Sequence, residues 1–413
     1  MGGVVITGAG VLSCVADSPP GLHAALREGR SGLKPIELFS TEGLGCRQAG
    51  EIRPFEPRDY LGERNLRPID RTSRLLLVAA GQALKAAGYT AEDAAMSEKR
   101  SEKELGLVLG TTFCSVRTIA EFDRRGLQLG PSYASPFDFA NSVINAAAGQ
   151  AAIWFGLRGS NTTVSAGEAS GLAAIAHAAD QIRGGRADAL LAGGVEELCF
   201  ESFVGHFRAG RLCGSRGEGE EVPIPLHARR NGFALAEGAA LLMLEDAASA
   251  AERGAPVLGE VLGHGSAFAP RRTQEDAAGA VARAVRLALA DAGLGTEDVD
   301  CLSVSANGSV DGDLWEALGI SEALGPRAAD LPVTAIKSML GEALGASGGL
   351  QAVALLGTLA DGALPGIPGL DLDDDIPLHG AGGSIRRITA RRALATALST
   401  DGHAFAVILG SLS

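Results

Sequence analysis

Aromatic side chains are scarce in this 413-residue chain, at 4% of residues, with two tryptophans and three tyrosines. Ring stacking cannot be the basis of its core. The 46% hydrophobic content and 57 glycines point instead to tight Ala, Val and Leu packing with close backbone approaches. The six cysteines, Cys14, Cys46, Cys114, Cys199, Cys213 and Cys301, contain no C-x-x-C pair. That argues against a disulfide framework and against a zinc site, so no metal is expected and a reducing cytoplasm is the expected compartment. No block of Lys or Arg exceeds a few residues and the net charge is −13, so neither nucleic acid nor an anionic membrane is an expected partner. No apolar run approaches membrane-spanning length. The N-terminus, MGGVVITGAG, enters a strand directly, with no basic stretch before a cleavage site and no Ser or Thr at its sixth position. Neither a secretory leader nor myristoylation is expected.

What is present reads as alternating β and α elements, an α/β pattern run through twice. Val4 to Thr7 predicts a buried strand ending in Gly8-Ala9-Gly10. A dinucleotide fingerprint is excluded there, since the third glycine and an acidic ribose ligand are missing. A helix is predicted from about Asp70 to Ala87, and an apolar strand from Leu105 to Leu109 whose exit, Gly110-Thr111-Thr112-Phe113, leads into another helix. From about Val257 the programme restarts with VLGEVLGHGS, a long Ala-rich helix, CLSVSANG and further βα units. The expected division is residues 1–255, with insertions at 15–70 and 201–230, and residues 256–413.

The most telling stretch is NTTVSAGEASGLAAIAHAADQIRGG, from Asn161 to Gly185. Three β-branched residues precede the small-residue corner Ser165-Ala166-Gly167, and an Ala-rich helix is predicted to begin at or near Glu168. Unpaired backbone N–H groups and the positive dipole end at such an elbow favour a nucleophilic anion. The occupant, however, is a glutamate. His177, further along the helix, reads as a packing histidine.

VVITGAGVLS, GLRGSNTTVSAGEASG, RADALLAGGVEEL, RRNGFALAEGAALLMLED, SANGSVDGDLWEAL, AIKSMLGEALGASGGLQAV and LPGIPGLDLDD follow one another as do the motifs of the β-ketoacyl synthases, and the chain resembles that family along essentially its whole length. The resemblance implies a thiolase-like α-β-α-β-α layered fold built from two duplicated halves. It also implies a chemistry in which a thiolate takes an acyl chain from a carrier protein while two imidazoles support decarboxylation and carbanion attack. In this sequence Glu168 stands at the cysteine position, and Asn307 and Glu342 stand at the two histidine positions. Lys337 alone of the polar set is retained. The separations, 139 positions from Glu168 to Asn307 and 35 from Asn307 to Glu342, match the family's pattern. The loop after Asn307 is about two residues short, and the Phe-rich gating loop near the C-terminus is replaced by Ser399 to Ala404.

A carboxylate forms no thioester, so condensation on this chain is not expected. The resemblance instead implies the chain-length factor, or ketosynthase β-subunit, type. This is a non-catalytic partner of an active ketosynthase α subunit in a type II polyketide or polyene-type synthase, needing no cofactor. Partners of that type often carry glutamine at the cysteine position, so glutamate is a departure. Overall acidity implies that the acyl carrier protein docks mainly on the active subunit. Residues lining the acyl tunnel and the subunit interface would be Phe113, Val116, Arg117, Ala120 and Phe137. The alternatives are a malonyl-carrier decarboxylase using Glu168 or Glu342, and a catalytically dead homodimeric paralogue. Glu168 itself is expected to cap its helix or to pair with Lys337, and like charge between Glu168 and Glu342 should raise at least one pKa unless the lysine lies between them.

Overall fold

The computed structural model describes residues 3–63, 66–89, 104–217 and 219–412. Its organising element is a ten-stranded sheet: β1 (Val4–Leu12), β2 (Gly106–Gly110), β3 (Asn161–Val164), β4 (Ala189–Glu196), β5 (Gly238–Asp246), β6 (Gly259–Phe268), β7 (Cys301–Ser303), β8 (Val333–Thr334), β9 (Arg392–Leu398) and β10 (His403–Gly410). Across the sheet the order is β8-β7-β9-β10-β6-β1-β5-β4-β2-β3. Counted outward from the central antiparallel pair of β1 and β6, each half runs first, fifth, fourth, second and third strand. Each half also has two antiparallel junctions followed by two parallel ones. The duplication expected from the sequence is therefore present in the topology.

Strand alternation separates three cores. Leu190 and Ala192 of β4 join the same cluster as Ala393 and Ala395 of β9, whereas Leu191 and Val195 face one outer layer and Leu394 the other. Helices α2 (Arg71–Ala86) and α4 (Ala146–Phe155) cover the outside of the first half. Helices α7 (Gln274–Ala292) and α8 (Val310–Leu324) cover the outside of the second. Between the halves lie α5 (Ser170–Arg183) and α9 (Ser347–Asp361), both nearly all buried. The result is the α-β-α-β-α layering of the thiolase-like fold. The remaining long helices are α1 (Pro19–Arg27), α3 (Val116–Leu129) and α6 (Phe200–Arg208).

Strand β1 does not end at the GAG triplet, as its sequence predicts, but runs on to Leu12. The glycines are there for the helix above them. A Cβ at Gly8 would lie 2.2 Å from the carbonyl oxygen of Ala83, and one at Gly10 would lie 1.9 Å from that of Ala79, both on α2. The second half repeats the arrangement: Gly263 and Gly265 of β6 press on Ala288 and Ala284 of α7, at 2.6 and 2.2 Å by the same measure. Small residues on both partners let helix and strand approach until backbone meets backbone. Among the described residues no helix is long and apolar enough to cross a membrane.

Candidate functional site

Strand β3 delivers the chain to the elbow, where Gly167 takes a left-handed φ of +58° and the Ser170 hydroxyl ties the corner together. That hydroxyl donates to Gly167 O at 2.6 Å and accepts from Ala166 N at 2.9 Å. Helix α5 starts at Ser170, two residues later than the sequence predicts, so Glu168 lies in the turn and does not cap the helix. Its carboxylate reaches instead to the turn between β9 and β10. Oε2 accepts from Thr400 N at 3.0 Å and Oε1 from Thr400 Oγ1 at 2.9 Å, and Arg211 Nη1 donates to that same hydroxyl at 3.1 Å. Glu168 is 6% exposed. Burial holds its carboxyl above the ordinary range and the nearby charge of Glu342 adds to the effect, while hydrogen bonds from Thr400 and from its own backbone oppose it.

Glu342 is fully buried and every acceptor direction is occupied. Lys337 Nζ and Asn307 Nδ2 both donate to Oε2 at 2.7 Å. Leu344 N and Ser347 Oγ donate to Oε1 at 2.9 and 2.7 Å. The lysine, expected as a partner for Glu168, is thus taken by Glu342 and by the carbonyl of Ser305 at 2.8 Å. Asn307 is held from both ends, with its backbone N on Asp313 and its Oδ1 accepting from Ser309 N. The residue 342 backbone is zipped to the signature segment RNGFALAEG through Ala234 O and Ala236 N. Lys337, Asn307 and Glu342 are thus in direct contact, and Glu168 lies near enough for the charge of Glu342 to act on it. Glu168 and Asn307 share a cavity of about 250 Å³, also lined by Arg211, Phe233, Trp315 and Thr400.

Two features escaped the sequence reading. Glu196, at the end of β4, is buried and accepts from the backbone N–H groups of Thr112, Phe113, Cys114 and Gly345. Burial nevertheless pushes its carboxyl up to about 7. It fixes the turn that presents Phe113. His206 is the second, a buried imidazole between the rings of Phe113 and Phe233, with centroids 6.0 and 5.4 Å away. Burial and Arg211 push it down to about 4, so it is neutral. His177, by contrast, is exposed and not a packing residue.

Of the residues assigned to the tunnel and interface, Val116, Arg117 and Ala120 lie on α3, and Phe113 lies on the turn before it. Phe137 lies in the short helix Pro136–Ala140. Phe113 and Phe137 are 43% and 55% exposed despite their size. Cys114 is buried, its thiol pushed up to about 12 by desolvation, and so is no nucleophile. Among the described residues no group of three or more His, Cys, Asp or Glu could hold a metal ion.

A duplicated five-layer α/β fold with a strand, an elbow and a buried helix at its centre defines the thiolase-like class. The family described as "Beta-ketoacyl synthase, N-terminal domain" matches residues 1–250, and "Beta-ketoacyl synthase, C-terminal domain" matches residues 257–371. The chain belongs to the β-ketoacyl synthase family. It is 31% identical over 394 residues to the 3-oxoacyl-[acyl-carrier-protein] synthase 2 of Vibrio cholerae, covering 94% of this chain and 92% of that one. It is 30% identical over 412 residues to the protein of the same name from Synechocystis, covering 97% and 96%. Among solved structures, the ishigamide ketosynthase/chain length factor superposes over the whole of both chains with a TM-score of 0.91 and 30% identity. A β-ketoacyl synthase from Burkholderia phymatum does so with a TM-score of 0.88 and 25% identity.

Proposed function

We propose that this chain is the non-catalytic chain-length-factor subunit of a type II polyketide or polyene-type synthase. It pairs with an active ketosynthase α subunit and lends a wall to that subunit's acyl tunnel, its halves dividing at 255/256. The carrier protein docks mainly on the active partner. One observation carries the reading: at the positions of the family's cysteine and two histidines stand Glu168, Asn307 and Glu342, whose side-chain oxygens and nitrogens are all held by the protein itself. No thiolate or imidazole is available there for acyl transfer. Similarity to a ketosynthase/chain length factor supports the same reading. So does the surface. Large apolar side chains lie exposed along residues 127–153, among them Leu127, Leu129, Tyr133, Phe139 and Ile153, and β3 is paired on one side only. Apolar patches and open strand edges of this kind are what subunit interfaces cover.

The test is co-expression with a cysteine- and histidine-bearing synthase and its carrier protein, followed by sizing and product mass analysis. A one-to-one complex active only with both subunits is the expected result. Within it, Ala120→Phe is expected to shorten the product and Phe113→Ala to lengthen it, with condensation retained. Product length that ignored both exchanges in an intact complex would remove the tunnel assignment to Phe113, Val116, Arg117, Ala120 and Phe137. Malonyl-carrier decarboxylation by the isolated chain, lost in Glu168→Ala, would favour the decarboxylase instead, and a stable homodimer indifferent to any synthase would favour the dead paralogue.

A further inference from the structure

A second cavity, about 320 Å³, lies apart from Glu168, where the start of α2 meets the first turns of α3 and the corner at Phe137. It is larger than the cavity beside Glu168, and two residues of its wall, Arg117 and Phe137, are among those assigned to the acyl tunnel. Phe137 also belongs to the exposed apolar stretch of residues 127–153 that a partner subunit would cover. A chain entering from that partner would therefore end in this chamber.

The wall of the chamber is polar. Phe55, Ile69 and Phe137 give it apolar surface, and most of the rest is charged or hydrogen-bonding. The guanidinium groups of Arg71 and Arg67 lie over the rings of Phe55 and Phe137, 5.4 and 5.8 Å from the centroids. Most charges are already matched: Arg71 with Glu237, Arg117 with Glu121, and Asp138 with Arg125. The pairing leaves donors over, because Arg117 gives Nε to Glu121 and Arg71 gives Nε and Nη2 to Glu237, while a guanidinium carries five N–H bonds. These groups are open to solvent: Arg67 and Arg117 are exposed, and Arg71 and Thr118 are half-buried.

Resting on the chain-length-factor reading, we infer that this chamber receives the leading end of the growing chain while that end still carries keto oxygens, so that the complex elongates an unreduced chain and not one converted to a polyene after each step. A hydrocarbon or polyene end would strip water from the guanidinium groups and offer no acceptor in return. Carbonyl oxygens accept from Arg117, Arg71 and Thr118 and bring no charge of their own, which suits a wall whose ion pairs are already closed. The rings of Phe55 and Phe137 receive the carbons between the oxygens. A plain stop for a hydrocarbon would need only a charged surface, not a chamber larger than the cavity at Glu168.

The experiment uses the co-purified complex with malonyl-loaded carrier protein, run with and without a ketoreductase and a dehydratase, and compares product masses. The longest products are expected without the reducing enzymes, and adding them is expected to shorten the chain. Thr118→Val and Arg117→Leu, each removing donors from the wall, are expected to lower the share of full-length unreduced product on the order of fivefold, the worth of one hydrogen bond. Three results in an intact complex whose product Ala120→Phe still shortens would overturn the inference alone: longest products only when the reducing enzymes are present, indifference of the unreduced product to both wall variants, or a reduced product lengthened by Arg117→Leu, which would make the charged wall a stop. A chain that forms no one-to-one complex with the synthase overturns the chain-length-factor reading, and this inference with it.

Discussion

Glu168 and Glu342 are both buried carboxylates at the centre of one fold, and they are satisfied in opposite ways. Glu342 has a lysine, an asparagine, a serine and a backbone N–H on its two oxygens. Glu168 has no cation on it, and beyond its own backbone it relies on one threonine of a surface turn. The first is a closed structural knot between the two halves of the site. The second is a carboxyl tolerated in a cavity, kept nearer to neutrality by desolvation. The difference teaches that two buried carboxylates at one centre can be accommodated in different ways, one as architecture and the other beside a cavity.

The contrast breaks most strongly at Lys337. Lys337→Met leaves the Glu342 charge buried without its counter-ion, and is expected to cost about 3–5 kcal/mol in denaturant unfolding. Asn307→Ala removes a neutral donor from the same oxygen and should cost less, about 1–2 kcal/mol by the same measurement. Glu168→Gln should have the smallest effect, within about 1 kcal/mol at pH 7, because the amide oxygen still accepts from Thr400. What it should change is the pH dependence. The folded-state pKa of Glu168 is raised, so its stabilising contribution is fully present below the unfolded carboxyl value and is lost as pH rises through the folded one. The glutamine variant should therefore lose less stability than the parent as pH rises from about 4.5 towards neutrality. An unchanged pH profile would mean that Glu168 is as well solvated folded as unfolded, and the contrast with Glu342 would collapse.

Much of this architecture was legible in the sequence, because it is written in short-range patterns. The apolar runs of β2 and β6, the Ala-rich helices and the order of the motifs needed no tertiary knowledge, and the spacings among Glu168, Asn307 and Glu342 matched the family's pattern. Partner choice was not legible. Nothing local tells Lys337 to take Glu342 at five positions' distance instead of Glu168, since both are acidic and the choice is made by the geometry around Ser305 and Ser347. Glu196 was equally hidden. A glutamate ending the apolar run LLAGGVE was a visible oddity, but the four N–H groups that justify it come from two distant turns. His206 carries no motif, and its role depends on rings contributed by residues 113 and 233.

Gly8, Gly10, Gly263 and Gly265 carry a consequence for how this gene can drift. Every single-base missense change in a glycine codon adds a side chain, and at these four positions even a methyl group would collide with the backbone of the helix above. The two central strands therefore offer mutation no small step. Their helices cannot be loosened gradually, and a substitution on one half finds no relief on the other, where the same contact is already made. Sequence variation is left to the cavity, the elbow and the outer loops, so the seam between the halves is the part of the fold least free to change.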